Sequence, residues 1–202
     1  AGTFGPFGTL SFYPAKLIGC FGDGGAVMTN DDEMARKLAL WRDHGRDEAG
    51  NILSWGTNSR LDNLQAAFLK LRLKHFDEDV SRRRDIARIY HESLNAIECL
   101  QLPPPPVEGG SHFDVYQNYE IASERRDDLM EFLKQNGIGT IMQWGGVPVH
   151  HFTQLRFGKD KYNDLPKADR FFERCFMLPM HMGLSDEQVD YVIEKILEFH
   201  KN

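Results

Sequence analysis

Residues 9–31 read TLSFYPAKLIGCFGDGGAVMTND, and the fold turns on how this stretch is read. Leu10, Phe12 and Tyr13 are interleaved with small polar residues in a strand-like pattern, and Pro14 stops the pattern two residues before Lys16. A glycine-rich turn follows (Gly19, Gly22, Gly24, Gly25), and then a second short apolar run at residues 26–28. The lysine is therefore expected between two strand-like segments and not on a solvated helix. An amine must lose its proton to attack a carbonyl, and a partly buried lysine in such a turn is suited to do so and to form a Schiff base. Ser11, five residues earlier, offers a hydroxyl that together with backbone amides holds an anionic group.

Composition narrows the classes. The 202 residues are 41% hydrophobic, ordinary for a globular chain, with a net charge of −6 and both signs interspersed. No basic stripe tracks a phosphate backbone, so nucleic acid is excluded as an expected partner. No run approaches the roughly eighteen apolar residues that span a bilayer, and nothing at the start reads as a signal peptide. A soluble, cytoplasmic chain without a membrane partner is expected. Cys20, Cys99 and Cys175 are odd in number and far apart, which reads as buried thiols and suggests neither a disulfide framework nor a zinc site. The chain opens on Ala1 and leads directly into a strand, as a chain entered partway through.

Asn30 or Asp31 is placed to cap a helix running to about Asp43, with Met34, Leu38 and Trp41 at helical spacing. A polar, glycine-broken loop follows. Leu61, Leu64, Phe68 and Leu71, then Ile86, Ile89 and Tyr90, predict a long helical region to Leu94, broken near Asp77, whose Arg82, Arg83 and Arg84 read as a solvated face. Four prolines at 103–106 and VEGGS after them predict a linker over 103–110 between domains at 1–102 and 111–202. Beyond it the pattern predicts a strand over 115–123, a helix over 126–136 ended by Gly137, a strand over 138–144 and a helix near 167–175. A final helix starts from Ser185 and Gln188 in capping-box positions and buries Val189, Val192, Ile193, Ile196 and Leu197. The class is α/β with an α+β tail.

Five motifs then stand in one order: SFYPAK with GDGGAVMTND; His44-Gly45; GTNSRLDNLQAA at 56–67; Val149-His150 before an aromatic; and Leu178-Pro179 before LSDEQV. In this order they resemble the DegT/DnrJ/EryC1/StrS sugar aminotransferases, a branch of the fold type I enzymes that use pyridoxal 5'-phosphate (PLP). The resemblance covers nearly all 202 residues but only about the second half of a family member. It implies the C-terminal part of a large parallel-sheet domain followed by a small α+β domain. It implies that Lys16 bonds the cofactor, that Ser11 touches its phosphate and that Asn58 reaches the phosphate from the neighbouring subunit of a homodimer. Tyr13, Arg60, His150 and His151 would line the sugar pocket. The implied reaction moves an amino group from an amino acid, L-glutamate by family habit, to a nucleotide-linked keto sugar, a ketone at the third carbon being favoured over the fourth. The aspartate that pairs with the pyridine nitrogen belongs to the family's first half, so the 202-residue part alone is expected to be inactive. Two rivals remain: a dehydratase of the same family, which carries histidine at the position of Lys16, and a non-catalytic regulator that keeps the fold.

Overall fold

The computed structural model describes residues 2–109, 112–155 and 165–201. The chain divides into two compact units, Ala1–Glu78 and Asp79–Asn202. The first opens with β1 (Gly8–Ser11) and β2 (Gly25–Met28), an antiparallel pair in which Ser11 sits opposite Gly25 and Gly8 opposite Met28. Helix α1 (Asp32–Trp41) starts where the Asp31 carboxylate accepts the free N–H groups of Glu33 and Met34 at 2.9 and 3.0 Å. Aspartate at this position satisfies two of the four donors that a helix start leaves unpaired. Helix α2 (Asn63–Lys74) ends at His75, where the expected break comes two residues earlier than Asp77, and α3 (Phe76–Leu94) follows. Among the described residues of this unit only Leu17, Cys20 and Leu69 are buried apolar side chains.

The second unit holds the main core. Strands β3 (Leu100–Gln101), β4 (Tyr119–Ser123) and β5 (Cys175–Leu178) form an antiparallel sheet in the order β3-β4-β5. Ile86, Tyr90, Leu94, Tyr119, Ile121, Leu129, Phe176, Val189 and Ile196 are at most 1% exposed within one cluster drawn from α3, this sheet, α4 (Arg126–Gln135) and α6 (Asp186–Lys201). The capping box of α6 is formed: Ser185 N–H donates to Gln188 Oε1 at 3.0 Å, and Gln188 N–H to Ser185 Oγ at 3.3 Å. No helix among the described residues is long and apolar enough to cross a membrane.

The mixed α/β class is as expected, and every strand pair among the described residues is antiparallel. Several expectations are corrected. The compact units do not divide at 103–110. Residues of that segment bond within the second unit: Tyr116 Oη donates to Pro104 O at 2.7 Å and Arg84 Nη2 to Val107 O at 2.9 Å, while Gly110 and the following Ser111 lie outside the described residues. A proline run has carbonyls but no N–H groups, and here those carbonyls serve as acceptors for a strap laid on its own unit. Arg83 and Arg84 are 7% and 5% exposed, not solvated. Arg83 Nη1 donates to the carbonyls of Tyr116, Gln117 and Met180 at 3.0–3.2 Å, which is how a buried guanidinium compensates lost water.

The strand expected at 115–123 begins only at Tyr119, because Tyr116 takes a left-handed φ of 48° as its N–H bonds the Asp114 carboxylate. At 138–144 only a single bridge from Ile141 to Met177 forms before a 3-10 turn at Gln143–Gly146. Helix α5 (Pro166–Phe172) stops three residues early, and Cys175 opens β5. Cys20 and Cys175 are buried as expected, whereas Cys99 is exposed.

Candidate active site

The loop from β1 to β2 folds back on itself around Lys16. Phe12 N–H donates to Gly24 O at 2.8 Å, extending the β1–β2 ladder by one bond, and Cys20 N–H returns to Phe12 O at 2.9 Å. The Cys20 thiol donates to the same Phe12 oxygen at 3.0 Å, so a buried cysteine serves the turn and not a disulfide. Within this frame Lys16 N–H closes a tight turn onto Tyr13 O at 2.8 Å. Glycine is required at 19: a Cβ there would stand 2.5 Å from Pro14 O and 2.8 Å from Tyr13 O.

Helix α2 holds the loop from outside. Gln65 accepts from Phe21 N–H at 2.9 Å and donates to Phe21 O at 3.0 Å, the pattern of a strand neighbour supplied by a side chain. Arg72 Nη2 donates to Leu17 O at 3.1 Å, and the Phe21 and Phe68 rings meet edge to face at 4.4 Å. The backbone on both sides of Lys16 is thus fixed while its side chain is exposed, not partly buried as the sequence suggests. Its ammonium makes no ion pair among the described residues. Ser11 and Tyr13 are exposed on the same segment, with Ser11 Oγ accepting Tyr13 N–H at 3.3 Å.

Asn58 and Arg60 belong to a second loop of the first unit. Trp41 O accepts Thr57 N–H at 2.7 Å, His44 N–H bonds Thr57 O at 3.0 Å, and Asn58 lies opposite Asp43 in an isolated antiparallel bridge. The His44-Gly45 pair makes the corner, both residues being left-handed with φ of 59° and 74°. A Cβ on Gly45 would collide with Ser54 O. Asn58 is exposed at the loop surface. Arg60 Nη1 pairs with Asp43 Oδ1 at 2.9 Å, and Arg46 takes the same carboxylate at 3.0–3.1 Å. The hydrogen bond from Arg46, with the charges of Arg46 and Arg60, holds the Asp43 carboxyl below the usual range.

The two histidines lie in the second unit, in a 3-10 turn at Val149–His151. Both direct Nε2 to Asp169 Oδ1 in α5, each at 2.8 Å. Asp169 escapes sequence reasoning because it follows the pair by about twenty residues, with no periodicity to join them. Lys16, Ser11, Tyr13, Asn58 and Arg60 therefore share the first unit, and His150 and His151 stand with Asp169 in the second. A cavity of about 770 Å³ in the second unit is lined by Ile138, Met177, His181, Leu184 and Tyr191 among others, and by none of the seven expected site residues.

The model of the DegT/DnrJ/EryC1/StrS aminotransferase family matches residues 1–197. A pleiotropic regulatory protein of Geobacillus stearothermophilus is 38% identical over all of this chain and 54% of its own length. A dTDP-3-amino-3,4,6-trideoxy-alpha-D-glucose transaminase of Streptomyces venezuelae is 36% identical over 94% of this chain and 49% of its own. The crystal structure of a DegT DnrJ EryC1 StrS aminotransferase from Brucella abortus, 36% identical, superposes with a TM-score of 0.90 over all of this chain and 52% of that one. The chain spans about half the length of these relatives.

Proposed function

This chain belongs to the DegT/DnrJ/EryC1/StrS aminotransferase family, and from that premise we propose that the protein it forms part of transfers an amino group from L-glutamate to a nucleotide-linked keto sugar, at the sugar's third carbon, with PLP as cofactor. The observation that carries this reading is the Lys16 turn: an exposed amine without an ion-pair partner among the described residues, on a backbone clamped by Gln65 and Arg72, five residues beyond an exposed serine. This donor set suits the cofactor, an amine for its aldehyde and a hydroxyl for its phosphate. When bound, PLP supplies the electron sink that lets a carbon acid lose its proton.

The roles follow from the residues. Lys16 Nζ holds the cofactor, then takes the proton from the donor's α-carbon and delivers one to the sugar carbon that receives nitrogen. Ser11 Oγ holds the phosphate, joined by Asn58 from the neighbouring subunit of a homodimer. Tyr13 and Arg60 are proposed sugar contacts, and so are His150 and His151, whose imidazoles both meet the Asp169 carboxylate. Arg60 suits a carboxylated sugar because its planar fork pairs carboxylates. Its present partner Asp43 is half-buried and also bonded by Arg46, so the carboxylate keeps a partner when Arg60, itself 47% exposed, turns to substrate. The third-carbon assignment draws on the wording of the SFYPAK and GDGGA motifs, with support from the 3-amino sugar transaminase of Streptomyces venezuelae.

A second reading is favoured by one finding, the relative from Geobacillus stearothermophilus described as a pleiotropic regulatory protein. A regulator that keeps only the fold has no need of Lys16, Ser11 or Asn58, and all three stand here. The two readings part in one experiment. The full-length protein is given PLP, L-glutamate and a UDP- or dTDP-linked 3-keto sugar, and the amino sugar is followed by mass spectrometry. Turnover that Lys16→Ala abolishes supports the transaminase, and a folded, PLP-loaded protein with no turnover on either sugar supports the regulator.

A further inference from the structure

We infer that His150, His151 and Asp169 form a site for a borderline divalent transition ion, of which Zn²⁺ is the representative. The inference goes beyond the transaminase reading and stands without it. The two imidazole Nε2 atoms converge on one carboxylate oxygen at 2.8 Å each, and the three possible ligand atoms lie within 4.8 Å of one another. The rings meet edge to face with centroids 4.5 Å apart, so the two nitrogens approach the shared centre from different directions. In a tetrahedral zinc site with metal–ligand bonds of about 2.0–2.2 Å, neighbouring ligand atoms stand about 3.3 Å apart. Each Nε2–Oδ1 distance is thus about half an ångström short of that spacing, and the two imidazole nitrogens lie within 4.8 Å of each other.

Both sides of the cluster are held by backbone. His151 N–H bonds Pro148 O at 3.0 Å and Phe152 N–H bonds Val149 O, fixing the turn that carries both histidines. Asp169 sits in the first turn of α5, its N–H on Leu165 O at 3.0 Å and its carbonyl accepting Glu173 N–H. Exposure is graded across the site. The His150 side chain is 5% exposed, Asp169 29% and His151 52%. One wall is dry and one open, so an ion can enter and its fourth position faces solvent, the arrangement of sites with three protein ligands.

Ligand type sets the ion. Two neutral imidazoles with one carboxylate suit zinc and its neighbours, whereas magnesium and calcium demand oxygen donors. On binding, each imidazole presents its Nε2 lone pair and keeps its proton on Nδ1, and the carboxylate supplies the negative charge. A zinc site is not legible in the sequence because two of its ligands are adjacent and the third arrives only through the placing of α5.

The experiment uses the full-length, PLP-loaded protein and zinc alone. Zn²⁺ is partitioned between the protein and a chromogenic chelator, and Co²⁺ is added separately to read the visible bands of a nitrogen-and-oxygen site. One ion per chain is expected, with affinity reduced about tenfold or more in His151→Gln and in Asp169→Asn, since each removes one of three ligands. His151 is half exposed, so His151→Gln tests the site even where Asp169→Asn unfolds. Absence of zinc uptake at micromolar ion, or uptake unchanged in a folded His151→Gln, overturns the inference and leaves a hydrogen-bonded cluster only.

Discussion

Gly19→Ala tests whether the clamped turn is what makes Lys16 a cofactor anchor. The added methyl would lie 2.5 Å from Pro14 O, 2.8 Å from Tyr13 O and 2.9 Å from Pro14 C, against ordinary contacts that begin at 3.4 Å. All three are backbone atoms of the turn that Lys16 closes, so no side chain can rotate away. Relief requires the Tyr13–Lys16 turn to move by about 0.5–0.9 Å, the depth of those overlaps. Gln65 and Arg72 resist this movement by holding Phe21 and Leu17. A displacement of about 1 Å at a reacting group costs on the order of a hundredfold in rate. The full-length Gly19→Ala protein should therefore fold and bind PLP yet lose about 10- to 100-fold in turnover. Borohydride reduction followed by peptide mapping should find less pyridoxyl group on Lys16. Gly139→Ala, where a Cβ meets nothing within 4 Å, is the control. Wild-type turnover and full trapping in Gly19→Ala would show that the lysine's position does not depend on this turn.

Further expectations concern both units. Arg83→Leu strips a cationic donor from three carbonyls at once and should cost about 3 kcal/mol of stability, read as a lowered denaturation midpoint with little change in PLP binding. Burial, and then the charge of Arg125, lowers the His200 pKa below its ordinary 6.5. The neutral imidazole is thus the form the fold prefers, so this contribution is present above pH 6.5 and declines as pH falls below it. His200→Gln should flatten the melting temperature between pH 7 and pH 5. Among the three thiols Cys99 should be alkylated first at pH 7.5, because Cys20 and Cys175 are buried and burial, aided by Glu120, pushes the Cys175 thiol up to about 11. Mass spectrometry of the labelled peptides checks that order. Mixing Lys16→Ala with Asn58→Ala subunits should restore part of the turnover, since some heterodimers then carry one intact site. No restoration despite proven exchange removes Asn58 from a shared site.

What could be read from the chain followed from short-range rules. The Asp31 cap, the capping box of Ser185 and Gln188 and the glycine end of α4 each depend on residues a few positions apart, and each formed where the spacing put it. Misreadings arose where a distant partner decided. Arg83 and Arg84 have the composition of a solvated helix face, and only the carbonyls of residues 107–117 and Met180 bury them. The four prolines look like a linker until Tyr116 and Arg84 bond that segment to the second unit. Strand β5 was hidden for a related reason. Its sequence, CFML, suits either a helix end or a strand, and pairing with β4 settles it. The Lys16 loop was legible as a turn, but its clamps were not, because Gln65 and Arg72 lie some fifty residues away. Asp169 belongs with these.

The exposure of Lys16 and the thin core of its unit are best explained together. Three apolar side chains are buried among the described residues before Glu78, while Phe4, Trp55, Phe21, Leu64 and Ile52 are each more than 60% exposed. Single exposed apolar residues are ordinary, but this many on a unit of such size is what an interface or a domain half leaves when its counterpart is elsewhere. The relatives are about twice as long as the chain. On the transaminase reading, a surface that packs against these side chains would serve stability and the cofactor site together. The lysine then has no need of a buried pocket within this unit. It needs a backbone that holds its position. Helix α2 and the turn itself meet that need: Gln65 and Arg72 hold Phe21 and Leu17 on the C-terminal side of the amine, and the bond from Lys16 N–H to Tyr13 O holds the other.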